Sequence, residues 1–254
     1  MRTMPCLLAL GALALAGCAT TAHAPASPEE RLAMANAEAR GGIAAIGAVE
    51  AIDIRLRMHE GALDLTGHYR ANRSGCMRID VAIDGNVVFT EALGRNGGWH
   101  MTRNMEREAP NTEAGNAALR HGVESPTRLF GLNEYGARGH QLSLGSPETI
   151  DGALYQRLDV EYKDGYRAAL FLDPQTHLVM RVRETKPLHV DEDATAKRVE
   201  TRLSDYREVA GVFFPFRSEE VDLDTGETLS TTEIASLGVN TDEALAICSS
   251  PPPV

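Results

Sequence analysis

Ile52, Ile54, Leu56 and Met58 alternate with Asp53, Arg55 and Arg57, and that period of two predicts a strand with one buried and one wet face. Met77, Ile79, Val81 and Ile83 alternate in the same way with Arg78 and Asp80. Asp84-Gly85-Asn86 then predicts a tight turn into Val87-Val88-Phe89, hence a hairpin. The pattern returns where Leu154, Leu158 and Val160 alternate with Tyr155, Arg157, Asp159 and Glu161. A turn at Lys163-Asp164-Gly165 leads into residues 166–172, and Asp173-Pro174-Gln175-Thr176 turns the chain again before Leu178, Met180 and Val182. Further strands are predicted around 197–207, 212–221 and 228–237, with turns at Ala210-Gly211 and Asp224-Thr225-Gly226. Strands apolar on one face and charged on the other make an antiparallel sheet that covers something on one side only.

Two stretches keep a helical period instead. Ser27-Pro28-Glu29-Glu30 has the order of a helix start, with Ser27 as N-cap, proline in the first turn and Glu30 completing a capping box. Leu32, Ala35, Ala39, Ile43 and Ile46 follow at spacings of three and four, interrupted by Gly41-Gly42. Each glycine costs a helix about 1 kcal/mol against alanine, so something packs close there or the helix bends. Residues 112–135 break the β pattern, and Ala117, Ala118, Leu119, Leu129, Phe130 and Leu132 predict short helices with a break at Ser125-Pro126. The fold expected is mainly β: about ten strands in an open antiparallel β-barrel, with helices covering the mouth.

The N-terminus changes the picture of where such a fold works. Arg2 precedes an apolar run at residues 7–15, long enough for a signal segment and too short to span a bilayer. It closes on Leu15-Ala16-Gly17-Cys18, which resembles a lipobox, so residues 1–17 are expected to be removed and Cys18 lipidated. Ala19 rather than aspartate after Cys18 points, by resemblance to sorted lipoproteins of diderm bacteria, to the outer membrane, facing the periplasm. Residues 18–27 then form a lipidated tether, 28–248 a single domain, and 249–254 a proline-rich disordered tail.

The formal net charge of −11 becomes −12 when the leader takes Arg2 with it. An acidic domain has no electrostatic footprint for nucleic acid and is repelled by anionic head groups, so any hold on the membrane comes from the lipid on Cys18. With Cys6 lost and Cys18 acylated, Cys76 and Cys248 remain in an oxidising compartment as a disulfide candidate, two buried free thiols being the alternative. Catalytic motifs are missing: there is no G-x-S-x-G, H-E-x-x-H, Cys-x-x-Cys or phosphate loop, and His59-Glu60 lacks a second histidine. Asp191-Glu192-Asp193 beside His189 has the composition of a solvated loop. No enzyme activity, metal or cofactor is expected.

Several segments, in order, resemble the LolA/LolB-like superfamily, most closely the branch of outer-membrane lipoprotein-sorting proteins. They are Gly41-Gly42, Met77-Arg78-Ile79-Asp80-Val81, Asp84-Gly85, Gly97-Gly98-Trp99, Ile150-Asp151-Gly152 with Tyr155, and Asp164-Gly165. Phe171-Leu172-Asp173-Pro174 with Thr176, and the run from Asp205 to Val212 into Pro215-Phe216, complete the set. The sequence departs from the family where Gly94 to Asn96 precede Gly97 and where Ala246-Ile247-Cys248 stand near the end. The resemblance implies an open barrel of about eleven strands over an apolar cavity that takes acyl chains or another lipid-like ligand, with a role in lipoprotein or lipid transport. The candidate wall is Ile52, Ile54, Leu56, Met77, Ile79, Val81, Leu142, Leu144, Leu154, Leu158, Val160, Leu178, Met180, Phe214 and Phe216. Alternation alone does not separate a hollow wall from a filled core. The second reading is therefore a structural or interaction module of the envelope, with a filled core and a protein partner. Trp99, the single tryptophan, is expected to be a buried structural residue.

Overall fold

The structure, a computed structural model, describes residues 26–188 and 193–249. The leader, Cys18, the tether up to residue 25, His189, Asp191, Glu192 and the proline tail lie outside them. Helices α1 (Pro28–Ala39) and α2 (Ile43–Gly47) come first. The strands β1 (Ala51–Glu60), β2 (Leu63–Asn72), β3 (Met77–Ile83), β4 (Asn86–Gly94), β5 (Gly97–Thr102) and β6 (Ala109–Pro110) follow as a meander. Helix α3 (Glu113–Val123) and two single-turn 3₁₀ segments at Leu132–Glu134 and Gly136–Arg138 separate these from the second half. That half holds β7 (Gln141–Leu144), β8 (Glu148–Ile150), β9 (Ala153–Glu161), β10 (Arg167–Leu172), β11 (Val179–Lys186), β12 (Lys197–Val209), β13 (Val212–Asp222) and β14 (Thr228–Val239). A short α4 (Asp242–Leu245) ends the fold.

The described strands number fourteen, in the order β6-β5-β4-β3-β2-β1-β14-β13-β12-β11-β10-β9-β7, with β8 paired to β9. First and last strands lie side by side, β6 and β7 remain as edges, and the sheet does not close. About ten to eleven strands were expected, and the excess has physical causes. β6, β7 and β8 hold two, four and three residues, too few for alternation to register. β2 escapes because its inward positions include Gly67 and Ala71, which carry little hydrophobic signal. A Cβ on Gly67 would stand 3.1 Å from the Met58 methyl and 3.3 Å from the Leu56 side chain, so the space is taken from across the pair.

Local chemistry sets the ends of the elements. The Glu30 amide donates to Ser27 Oγ at 3.3 Å and the Ser27 amide to the Glu30 carboxylate at 2.8 Å, the expected reciprocal cap. The apolar stripe predicted through Ile46 is two helices rather than one: α1 stops at Ala39, and Gly41 and Gly42 hold φ of +118° and +93°. Asp84 and Gly85, at φ of 49° and 78°, make the β3–β4 turn. Such left-handed values in both positions match the twist of the strands they join.

One core runs through the molecule. Leu32, Ala33 and Ala37 of α1 pack with Ile46, with Leu129, Phe130, Leu132 and Tyr135 of the intervening segment, and with the inner face of the sheet. Cys76, at the start of β3, is bonded to Cys248 after α4 with Cα atoms 5.3 Å apart, so the chain's end is stapled to an early strand. Trp99 is half-buried rather than buried: it sits opposite Ala92, on the outer face, under the Arg78 guanidinium.

Candidate binding cavity

The sheet curls around a cavity of about 710 Å³. Ile54, Leu56 and Met58 of β1, Tyr69 of β2 and Ile79 of β3 form one wall; Phe214, Phe216, Ile234 and Leu237 of β13 and β14 form the next. Leu170, Val182 and Leu203 continue it around β10 to β12. Helix α3 covers it, presenting Ala114, Ala117, Ala118, His121 and Gly122, positions spaced by three and four along one helical face. Four of these five end at or before Cβ, which keeps the helix close to the sheet while leaving room beneath. Thr112 caps α3 through a 3.0 Å bond from the Gly115 amide, and His121 ties it to the β9–β10 turn through Asp164 at 2.8 Å.

The predicted wall residues fall into five groups. Ile54, Leu56, Ile79, Phe214 and Phe216 line the cavity. Ile52, Met77, Leu158 and Val160 are buried in the core beside it, with Leu142 packed against them. Val81 is half-buried on β3 outside the cavity. Leu144 and Leu154 are corrections, being 51% and 56% exposed near the β7 edge and the β8–β9 turn. Leu178 and Met180 are also corrected. The register slips by one residue where Phe171 pairs with Arg181 and Leu172 with Val179, so the alternation inverts and Val179 and Val182 take the inward positions.

Sequence reasoning missed the polar part of the lining. Lys186 Nζ lies 2.8 Å from Glu184 and 2.8 Å from Glu220, and the Tyr166 hydroxyl donates to Glu184 at 2.7 Å. Burial disfavours the Lys186 charge, but the two carboxylates outweigh it and hold its pKa above the ordinary lysine value. Burial likewise acts to raise Glu220, while Lys186 and neighbouring hydroxyls hold it below the ordinary carboxylate value. In the sequence these charges look like interruptions of the apolar face, yet both carboxylates stand opposite inward neighbours: Glu184 opposite Val199, Glu220 opposite Thr201.

Beside α3, the segment Ser125-Pro126-Thr127-Arg128 also lines the cavity. Arg40, 1% exposed, holds this segment from behind by donating to the carbonyls of Pro126, Arg128 and Phe130. Burial pushes the Arg40 pKa down to about 10, against the weaker pull of Tyr206, Tyr135 and Glu134. On the opposite, outer face of the sheet, Asp53, His68 and Glu243 bring three potential ligand atoms within 4.8 Å of one another. His68 is bonded to Asp53 at 2.8 Å and Arg70 stands 3.6 Å from Glu243, so the cluster is occupied by its own contacts.

No family model matches the sequence, and no curated protein matches it either. Solved structures do match in shape. A LolA superfamily protein from Nitrosomonas europaea aligns with a TM-score of 0.55 at 12% identity, over 85% of this chain and 95% of that one. A DUF1329 family protein from Desulfovibrio piger gives 0.54 at 12% identity, over 88% and 98%. A domain named as an outer membrane lipoprotein-sorting protein, from Vibrio parahaemolyticus, gives 0.52 at 11% identity, over 84% and 93%. At these identities the similarity speaks for architecture, and the architecture of this chain is the LolA-like fold.

Proposed function

We propose that the chain is a lipid-anchored envelope protein, held through Cys18 at the outer membrane and facing the periplasm. Its open barrel binds acyl chains or another lipid-like ligand, in lipoprotein or lipid transport, without catalysing a reaction. The observation that carries this reading is the cavity of about 710 Å³ walled by Ile54, Leu56, Ile79, Phe214 and Phe216. That volume falls within the roughly 300–1,000 Å³ of small-molecule sites. Apolar surface removed from water there contributes about 25 cal/mol per Å², and the flexible Met58 lets the wall adapt to chains of different shape. The lipoprotein-sorting name of the Vibrio domain is consistent with such a ligand. The −11 net charge argues against attraction to anionic membranes by charge alone, which leaves anchoring to the lipid.

Native mass spectrometry of the purified protein tests the reading. Co-purified acyl-chain mass, displaced by added fatty acid, is expected. An apo protein that refuses hydrophobic probes and instead carries a bound polypeptide would replace the carrier reading with that of an interaction module. Cys18→Ser is expected to abolish fatty-acid labelling and membrane partition, and unchanged labelling would refute the anchor.

A further inference from the structure

The cavity's cations are not equivalent. Lys186 is spent between Glu184 and Glu220, and Arg217 is paired with Glu233 at 2.7 Å. Arg128 differs: no described residue gives it an ion pair, and its guanidinium carbon stands 4.6 Å from the ring centroid of Tyr69. Tyr69 is only 5% exposed and lines the same cavity, yet its hydroxyl has no hydrogen-bond partner among the described residues. A buried hydroxyl without a partner is costly and rare, and it calls for an explanation. Next to Arg128, the hydroxyls of Ser125 and Thr127 lie 3.1 Å apart. One hydrogen serves that contact, which leaves the second hydroxyl hydrogen free to donate. The carbonyls of Pro126 and Arg128, which would repel an anion, are taken up by Arg40 from the other side, and that of Ser125 by the Arg128 amide.

We propose that Arg128, Tyr69 and the Ser125–Thr127 hydroxyl pair form a head-group subsite that holds the carboxylate or phosphate of an anionic amphiphile, its chain lying along the apolar wall. This rests on the acyl-chain reading of the cavity and adds the chemistry of the head. Each of these groups can donate: a guanidinium fork, a phenol and an aliphatic hydroxyl. An oxyanion accepts from each of them, and charge-assisted bonds of this kind are the strong ones. A neutral head such as an alcohol carries no charge to balance Arg128. A cationic head meets repulsion there.

Displacement of a fluorescent fatty-acid analogue from the purified protein by dodecanoate, dodecyl phosphate and dodecanol separates the possibilities. Both anions are expected to compete at least about tenfold better than the alcohol, as charge-assisted bonds imply. Arg128→Gln removes that advantage and leaves dodecanol unchanged. Tyr69→Phe takes away one oxygen, relieves an unpartnered hydroxyl and keeps the fold, so a weakened preference for anions in this variant cannot come from unfolding. Phosphate ahead of carboxylate identifies a phospholipid-type head, and the reverse order a free fatty acid. Equal competition by all three ligands in the wild type, or an anion preference that survives both substitutions, overturns the subsite while leaving the acyl cavity standing. Failure of every probe to bind overturns the cavity reading and the subsite with it.

Discussion

A Cβ on Gly41 would lie 1.9 Å from the carbonyl oxygen of Gly211. The contact joins the end of the first helix to the β12–β13 turn, and the Phe213 amide closes it by donating to the Arg40 carbonyl at 2.9 Å. The obstacle is backbone, not the far end of a flexible side chain, and Gly41 also holds a φ of +118°. Gly41→Ala therefore forces α1 and the sheet apart, and is expected to lower stability by about 2–4 kcal/mol in chemical denaturation. Gly97→Ala is the control, since its φ of +117° matches and its Cβ position meets only the Asn116 side chain, at an ordinary 3.9 Å. Equal losses in the two variants would show that backbone conformation alone, and not the approach to Gly211, makes Gly41 necessary.

The Cys76–Cys248 bond spans 172 residues of sequence. Closing so long a loop restricts the unfolded chain, and such bonds typically contribute roughly 2–5 kcal/mol. Alkylation without reductant is expected to modify neither thiol, and Cys248→Ser to lower the unfolding midpoint by a matching amount while leaving the fold intact. Alkylation of both residues in the unreduced protein would contradict the bond.

On the outer face, Glu200 is 1% exposed and receives Arg181, Arg183 and Arg202 at 2.6, 2.7 and 3.0 Å. Burial acts to raise its pKa, but the three guanidinium groups outweigh it and hold the carboxyl below its ordinary 4.5. A carboxylate whose folded pKa is depressed contributes stability above the unfolded value, and loses it as pH falls through the folded one. Urea midpoints measured from pH 7 to pH 3 should fall most steeply below about pH 5. Glu200→Gln should be less stable at pH 7 and flatter in that acid range. Parallel curves for wild type and variant would mean that other carboxylates carry the acid limb.

Legibility in the sequence followed what each residue does to a periodic signal. Ile54, Leu56 and Ile79 face inward as their alternation implied, because β1 and β3 keep an unbroken period there. Leu178 and Met180 misled because a one-residue slip in β11 exchanges the two faces, and nothing in the local composition marks the slip. β2 was hidden by the very feature that makes it useful, an inward Gly67 over which Met58 and Leu56 fold. Cys76 and Cys248 could be listed as a pair, but their 5.3 Å Cα separation depends on β3 and the segment after α4 meeting in space. The polar groups of the cavity were the least visible. Glu184, Lys186 and Arg128 are charges in a sequence rich in charges, and only the fold turns them inward.

Whether the inner face is a hollow wall or a filled core is decided by two carboxylates placed one at a time. Leu158 is fully buried in the core on β9, whereas Leu56 lies on the cavity wall on β1. Leu158→Glu places a charge where neither water nor a partner can reach it. That costs several kcal/mol, a large share of the ~5–15 kcal/mol that stabilises an ordinary domain, so the variant is expected to unfold. Leu56→Glu places the same group beside space that water can enter, so the carboxylate stays solvated and the unfolding midpoint shifts little. Its effect appears in binding: an acyl chain laid along that wall would strip the water away, and affinity for a hydrophobic dye should drop by at least about tenfold, the equivalent of 1.4 kcal/mol. Thermal unfolding and dye titration on the same two proteins read both effects. If Leu56→Glu unfolds as readily as Leu158→Glu, the space beside Leu56 does not admit water and the inner face is a core. If it stays folded and binds dye like the wild type, the ligand does not lie on the β1 wall.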